Sequence, residues 1–367
     1  MTTSPPLTVH LALGPPAPSG PAPSPRCPPV VAMSAWQAAL RADPGFEVLP
    51  EPGGVVLRFV APADLGTVGP EEVAVVDWPR DIWTPAITPG LRAIVTHSPL
   101  GARCLAQAIG HQVPVLAVPV PEPILDAAPE PTDELTFTGW SFDSRRTDTA
   151  PDGAQRIELA SGGRLITVVG DAQDADRRWA DTLFAFTESQ RDRTDLTLFV
   201  WLSHADPRTG PAVVADVVDR SLPYRCRVLV GVGEMTASQY AALLARTDAL
   251  VAGNDEDGGL RPLVDAMSAG VPAIGSPRVF PQLISDETGV PTVSYDEIAV
   301  SQLGDEPMLT RMTSVTDWPT LVTALTWCAD AAGDALRDRG VAAADAARSH
   351  RDPAAATRAL AALLAAT

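Results

Sequence analysis

The sequence contains no lysine, so all 27 of its basic residues are arginines. Together with abundant alanine, proline and aspartate, this composition is typical of a GC-rich genome and carries no functional information. Acidic residues outnumber basic ones, and the formal net charge is −18. This charge argues against nucleic acid or an anionic membrane as the main partner. An anionic ligand would therefore need arginines close to it.

Cysteine is scarce, and its spacing is uninformative about metals. The four cysteines form neither a CxxC motif nor a Cys/His cluster with zinc spacing: Cys27, Cys104, Cys226 and Cys328. We expect free, buried thiols in a reducing cytosol. No metal site is predicted.

Long apolar runs and several common catalytic motifs are also missing. No stretch reaches the roughly 18 apolar residues of a membrane-spanning helix, and the N-terminus lacks the basic start and apolar run of a signal peptide. The sequence has no P-loop, no GxSxG, no HExxH, and no GxGxxG after its first strand. We therefore predict a cytoplasmic protein without a membrane span.

The length of 367 residues fits two domains better than one core. Strand patterns alternate with helical patterns, which is typical of doubly wound α/β domains. We predict an N-terminal α/β domain over residues 1–121, with a Pro-rich loop at 14–29. A linker over 122–133 leads to a second α/β domain over 134–340, and the Ala-rich remainder, 341–367, is predicted to be helical.

Apolar runs mark the candidate strands of both domains. In the first domain they lie at 7–13, 54–61, 73–78, 92–97 and 113–120. The second domain is predicted to open with a hairpin of 135–140 and 155–159. Further strands follow at 165–169, 196–202, 227–232, 249–252 and 271–274.

The most informative stretch is residues 248–277, DALVAGNDEDGGLRPLVDAMSAGVPAIGSP. It predicts a buried strand, an acidic glycine-containing loop, and a helix that opens at Pro262, a residue suited to a first turn. The first N–H groups of a helix lack partners and its macrodipole is positive there, so this end can bind an anion. Asp265 would lie about one turn into the helix. Carboxylates beside such a site can accept hydrogen bonds from sugar hydroxyls.

The residues DGGLRPLVDAMSAGVP, starting at Asp257, resemble the donor-site signature of GT-B glycosyltransferases. The similarity is greatest to the large retaining family usually numbered four. That signature has two acids eight residues apart, followed by Ala-Met, a small residue, Gly and a Val-Pro strand. The resemblance implies an α/β fold of two Rossmann-like, doubly wound domains that face a cleft. It also implies that the last helix, 341–367, packs back on the first domain.

The resemblance also implies roles for individual residues. In the family, the first acid faces the donor sugar and the second binds the ribose hydroxyls. Here these are Asp257, or Glu256 if the loop is shifted by one residue, and Asp265. The N–H groups at the start of the helix would stabilise the leaving diphosphate: Gly258, Gly259 and Leu260. A histidine often lines the family's active site, and His97, at the end of an apolar strand, is the best-positioned candidate.

Two further segments match the family. The stretch RWADTL lines up with Lys-Gly-x-Asp-x-Leu, which puts Arg178 at the lysine position that holds the donor diphosphate, after the loop that begins at Gly170. The stretch TASQYAALLARTDA, from Thr236, matches the helix that follows the base-binding segment, here Gly233 and Glu234. Each segment also has a purely structural interpretation, as solvated charges at a helix start or as a capped helix.

The function implied is transfer of a hexose from a nucleotide-diphosphate sugar to an unknown acceptor, with retention. No cofactor and no essential metal are expected. Two alternatives remain open. The protein could be a GT-B-like binding or scaffold partner that has lost catalysis, because Asp171 stands where the family has arginine, and both signature acids are Asp instead of Glu. It could also be another GT-B enzyme, such as a sugar-phosphate epimerase or a phosphorylase; the phosphorylase is disfavoured because the chain has no lysine for its cofactor.

Overall fold

The structure, a computed structural model, describes residues 6–13, 29–51, 53–60, 62–76, 81–82, 87–121, 133–145, 153–159, 163–171, 178–203, 210–220, 223–253, 257–278, 280–303 and 306–367. The predicted Pro-rich loop, except Pro29, and the predicted linker, except Asp133, lie outside these residues. Within these ranges, no helix combines the length and apolarity needed to cross a membrane.

The first domain is built around a parallel sheet. Its described elements are β1 (Leu7–Leu13), α1 (Pro29–Ala42), β2 (Phe46–Leu49), β3 (Val55–Val60), a 3-10 helix (Pro62–Thr67), β4 (Val73–Val76), β5 (Asp81–Ile82), β6 (Ala93–Thr96), α2 (Pro99–Ala108) and β7 (Val115–Ala117). Six strands pair in the order β2-β1-β3-β4-β6-β7, all parallel. Every side chain of β4 and β6 is buried, as expected for parallel strands that are covered on both faces.

The second domain repeats this plan with a larger sheet. Its elements are β8 (Glu134–Asp143), β9 (Gly153–Glu158), β10 (Arg164–Asp171), α3 (Arg178–Ser189), β11 (Leu196–Ser203), α4 (Gly210–Asp219), β12 (Arg227–Glu234), α5 (Ala237–Arg246), β13 (Ala249–Ala252), α6 (Asp257–Ser268), β14 (Ala273–Gly275) and β15 (Gly289–Pro291). The strand order is β15-β14-β13-β10-β11-β12-β8-β9. The predicted hairpin is confirmed, since β8 and β9 pair antiparallel at one edge.

A long hairpin interrupts the βα alternation after β15. It consists of β16 (Ser294–Leu303) and β17 (Glu306–Thr316), which pair antiparallel. β17 also pairs with β5 of the first domain, with Thr310 opposite Ile82 and Arg311 opposite Asp81. This hairpin was not expected from the sequence. It forms a main-chain connection between the two domains.

Three helices end the chain: α7 (Trp318–Asp330), α8 (Gly333–His350) and α9 (Pro353–Ala366). The single helix expected over 341–367 is therefore wrong, because the chain breaks between α8 and α9. Asp352 caps α9 by accepting a hydrogen bond from the N–H of Ala354 at 3.0 Å, and Pro353 occupies its first turn. This is the usual start signal of a new helix.

Helix α9 packs on the first sheet, although it follows the second domain in the chain. Leu360 and Leu364 belong to the apolar cluster that contains Trp36 of α1 and Val9 of β1. At the end of the helix, Arg92 donates through Nη2 to the carbonyl of Leu364 at 2.7 Å. A cation at this end is favoured by the helix dipole. The chain thus crosses back to the first domain at the junction between α8 and α9.

Candidate active site

Helix α6 begins earlier than the sequence predicts. It runs from Asp257 to Ser268, so the two glycines and Leu260 lie in its first turns, and Pro262 lies inside the helix. The expectation that the helix opens at Pro262 is therefore wrong. First-turn N–H groups have no helical partner, and an acid at this end is stabilised by the macrodipole. Because Pro262 has no N–H, it also gives no helical hydrogen bond to the carbonyl of Gly258.

A small cavity of about 40 Å³ lies at the carboxyl ends of the central strands of the second sheet. Its apolar lining comes from the ends of β13 and β14 and from α7. Its polar lining comes from the first turn of α3, from the segment after β14, and from the two ends of the hairpin: Arg178, Asp181, Thr182, Ser276, Thr292 and Thr316. The volume suffices for only a few water-sized groups. Ligands of doubly wound sheets bind at this edge.

Arg178 brings a buried positive charge to this cavity. It is the first residue of α3 and is 7% exposed. Its Nη1 donates a hydrogen bond to Oγ1 of Thr316. The positive end of the α3 dipole and the loss of hydration both disfavour a cation here, so an anion in the cavity would be stabilised. Contact between Arg178 and a donor phosphate stays a prediction.

Asp265 lies in a buried ion pair. It is 5% exposed, its Oδ1 accepts a hydrogen bond from Nη2 of Arg351 at 2.5 Å, and its Oδ2 lies 3.8 Å from Nε of Arg261. Arg351 is itself 5% exposed and ends α8. The buried hydroxyl of Tyr240 is close by, and its pKa is raised by burial and by the Asp265 charge. Asp265 therefore fixes the α8–α9 junction, and its binding to a ribose stays a prediction.

The predicted base-binding segment has a clear structural role at Gly233. Gly233 has φ 144° and faces Gly139, with φ 148°, across the β12–β8 pair. A Cβ on either glycine would overlap the facing backbone, so only glycine fits this close approach. Glu234 is the last residue of β12. Thr236 and Gln239 then form a capping box that starts α5, which confirms the predicted cap; contact with a base stays a prediction.

Gly170 and His97 lie at the carboxyl ends of strands in different domains. Gly170 is the second-last residue of β10 and packs near Trp179 of α3. His97 follows β6, is 4% exposed, and has its Nδ1 3.3 Å from the carbonyl oxygen of Val118. The next residue, Ser98, caps α2. His97 is thus held by the fold at the edge of the first sheet, where a catalytic role stays a prediction.

Two of the predicted site residues are described only in part or not at all, and some residues at the site were not predicted. Glu256 lies outside the described residues, and Asp257 is described through its backbone alone. Three residues at or near the site were not expected from the sequence: Thr292 and Thr316 at the ends of the hairpin, and Arg351, the partner of Asp265. The one relevant signal in the sequence is Asp317-Trp318-Pro319, which is typical of a helix start directly after Thr316. In the structure, Asp317 caps α7 and Pro319 lies in its first turn.

Removal of the Arg351 charge should show how much the buried ion pair contributes to the stability of the fold. Arg351→Met leaves the Asp265 carboxylate buried without its main partner, and we expect a loss of roughly 3 to 5 kcal/mol in the free energy of unfolding. Adding Asp265→Asn should recover a large part of that loss, because no buried charge remains. Urea unfolding of the two single variants and the double variant measures the coupling. Arg348→Met, in an exposed pair on the same helix, should cost less than about 1 kcal/mol; equal losses in both arginine variants would contradict this account.

His350 should make the stability of the fold depend on pH. Burial, followed by the charge of Arg351, lowers its pKa from 6.5 to about 4. The unfolded chain binds a proton below pH 6.5 but the folded chain only near pH 4, so this contribution to stability is complete above pH 6.5 and lost as the pH falls. Between pH 7 and 5 the loss should be about 2 kcal/mol.

The matching measurement is urea unfolding across that pH range for wild type, His350→Gln and an exposed control, His111→Asn. The control should follow the wild type, because His111 is exposed. His350→Gln should lose less stability between pH 7 and 5. An identical pH profile for all three proteins would show that His350 is not responsible.

No known family model matches the sequence, and no curated protein matches it. Solved structures do resemble it. A variant of TarM from S. aureus, in complex with fondaparinux, α-GlcNAc-glycerol and UDP, has a TM-score of 0.51 at 6% identity, over 91% of this chain and 58% of its own. The UDP-forming α,α-trehalose-phosphate synthase from Burkholderia xenovorans has a TM-score of 0.52 at 12% identity, over 90% and 77%.

The N-terminal domain of the Candida albicans trehalose-6-phosphate phosphatase is similar to the same extent, with a TM-score of 0.51 at 11% identity, over 86% of this chain and 72% of that one. The chain spans a little over half of TarM, 58% of its length. At such low identities these likenesses show the fold alone. The predicted fold class is confirmed: the chain has the GT-B arrangement of two Rossmann-like α/β domains.

Proposed function

We propose that this protein is a glycosyltransferase that moves a hexose from a nucleotide-diphosphate sugar to an acceptor. The observation that carries the proposal is the buried guanidinium of Arg178, which lines a cavity at the carboxyl edge of the second sheet. The chain carries a formal charge of −18, so a buried cation at this edge is a local exception. Two of the similar solved structures are named for UDP, as a bound molecule or as a product.

The chemistry of the transfer requires stabilisation of a leaving group. As the bond between sugar and diphosphate breaks, negative charge grows on the diphosphate. Arg178, together with the backbone N–H groups of Gly258, Gly259 and Leu260 at the start of α6, would stabilise that charge. Gly170 would allow the diphosphate to approach the backbone, and Gly233 and Glu234 would face the base.

The acids and the histidine complete the proposed site. Asp257, or Glu256, would orient the sugar through its hydroxyls, and Asp265 would hold the ribose with the oxygen that Arg351 does not occupy. His97 would face the acceptor from the first domain. We propose retention of configuration and a reaction that needs neither a cofactor nor an essential metal, so activity should survive chelation by EDTA.

The proposed location is the cytoplasm. Cys226 and Cys328 are free and buried. Burial raises the pKa of Cys226 to about 11 and that of Cys328 to about 12, so neither is a reactive thiolate. A protein of this size with unpaired thiols fits a reducing compartment.

A second candidate is a GT-B-like protein that binds a partner without catalysis. The observation that favours it is the engagement of both candidate donor residues within the protein. Asp265 is paired with Arg351, and Arg178 donates to Thr316. Side chains that the fold already engages are less available to a substrate. Turnover separates this candidate from the first.

A thermal-shift panel of UDP, GDP, ADP, TDP and their sugars tests the proposal. A nucleotide at about one hundred times its Kd should stabilise the fold by roughly 2.7 kcal/mol. Arg178→Gln should weaken that nucleotide about tenfold or more, because a charge-assisted hydrogen bond to phosphate is lost. The nucleotide sugar that shifts the protein is then assayed for release of its nucleoside diphosphate.

The matched control is Arg220→Gln. Arg220 is exposed and follows α4, at the opposite edge of the sheet, so its loss should leave nucleotide binding unchanged. A shift without turnover for any nucleotide sugar would favour the binding protein. No shift from any nucleotide, or equal weakening in both arginine variants, would contradict the proposed site.

A further inference from the structure

Two buried tryptophans have indole N–H groups without a hydrogen-bond acceptor in the part of the chain that the structure describes. These groups are Nε1 of Trp36 and Nε1 of Trp179, whose side chains are 1% and 0% exposed. A buried donor without an acceptor loses the hydrogen bond that water gives it in the unfolded chain, and this loss lowers stability. Buried donors are therefore almost always paired, and an exception needs a physical reason.

The two tryptophans lie in different surroundings. Trp36 belongs to α1 and packs in the apolar core of the first domain, against residues such as Val9 and Leu40. None of the described residues in that core was predicted for the site. Trp179 is the second residue of α3 and directly follows Arg178. It therefore lies at the strand-to-helix turn where ligands of doubly wound sheets bind.

The pyrrole edge of Trp179 lies against the carboxyl ends of two strands. A Cβ placed on Gly170, the second-last residue of β10, would be 3.6 Å from Cδ1 of Trp179 and 3.7 Å from Cδ2 of Leu202. Leu202 is the second-last residue of β11. Because Cδ1 is bonded to Nε1, the unpartnered N–H lies beside the end of β10, where the chain turns towards α3.

Three kinds of hydrogen-bond donor thus lie around the start of α3. The first N–H groups of a helix have no helical partner, and the macrodipole is positive there. The guanidinium of Arg178 lies on one side, in the cavity at the ends of β13 and β14. The indole of Trp179 lies on the other, at the ends of β10 and β11. An indole N–H can only donate, so its missing partner must be an acceptor, and phosphate oxygens accept from all three kinds of donor.

We propose that the indole N–H of Trp179 is a phosphate-binding group, and that a bound phosphate supplies its missing acceptor. In taking that phosphate to be part of a nucleotide sugar, the proposal rests on the proposed function. The pattern Lys-Gly-x-Asp-x-Leu has glycine at the position of Trp179, so this contact is particular to the present chain. The unpaired N–H lowers the stability of the free protein, and the ligand removes that loss.

The indole signals of the wild-type protein test the proposal directly. In a proton–nitrogen correlation spectrum, Trp179→Phe and Trp36→Phe identify two of the eight indole signals by removing them. An N–H proton that gains a hydrogen bond to a charged oxygen moves downfield. We expect the Trp179 signal to move downfield with inorganic pyrophosphate and with the nucleoside diphosphate selected by the thermal-shift panel, while the Trp36 signal stays in place.

The nucleoside without phosphate is the control ligand and should move neither signal. If it moved the Trp179 signal as the diphosphate does, phosphate would not be the acceptor. A Trp179 signal that stays in place while pyrophosphate or the nucleoside diphosphate binds would overturn the proposal. Since this titration uses the wild-type protein, its result does not depend on the stability of a variant.

The affinities of the two variants give an independent measure. Trp179→Phe keeps an aromatic ring but removes the N–H, and it should weaken binding of pyrophosphate and of the nucleoside diphosphate about tenfold or more. Trp36→Phe is the matched control, because it removes an equally buried N–H far along the chain from α3; it should bind both ligands as the wild type does. Equal affinities in the wild type and Trp179→Phe would contradict the proposal.

The proposed function and the role of Trp179 fail in different ways. If a nucleoside diphosphate binds and the Trp179 signal does not move, the donor site stands and the role of Trp179 is wrong. If pyrophosphate moves the signal but no nucleotide binds, the start of α3 is a phosphate site and the proposed function is wrong. If neither ligand binds, both proposals are wrong.

Discussion

The buried ion pair between Asp265 and Arg351 fixes how the two domains are joined through the C-terminus. Asp265 projects from α6 and Arg351 ends α8, so the pair holds the α8–α9 junction against the second domain. Gly340 lets α8 approach α6 closely, because a Cβ there would overlap the carbonyl of Gly270. From this point α9 crosses to the first sheet. If the ion pair were broken, an uncompensated charge would remain buried at the α8–α9 junction. The position of α9 therefore depends on this pair.

The candidate site depends on positive groups within a chain whose net charge is strongly negative. Arg178 begins α3, and the N–H groups of Gly258 and Gly259 begin α6, all on the carboxyl side of the second sheet. In a chain with a formal charge of −18, an anion is repelled over long distances and held only close to such groups. The hairpin adds a second constraint, because Thr316 accepts a hydrogen bond from the same arginine and β17 reaches the first domain.

Much of the second domain could be predicted from its sequence because its signals are local. The alternation of apolar strands with helical patterns located β10 to β13, and Thr236, as a helix cap, predicted the start of α5. The start of α6 was missed, since Pro262 is typical of a first turn but lies inside this helix. Arg351 was missed for a different reason: nothing in the sequence indicates that it pairs with a residue 86 positions away. The hairpin was missed because its pairing with β5 is a long-range contact.

The central claim is that a nucleoside diphosphate binds at the carboxyl edge of the second sheet. Hydrogen–deuterium exchange, with and without the nucleotide that stabilises the protein, tests it most directly because it locates the ligand along the chain. We expect slower exchange at the starts of α3 and α6, in peptides that begin near Arg178 and Asp257. Slower exchange confined to the first domain, or to the opposite, amino edge of the second sheet, would contradict this claim.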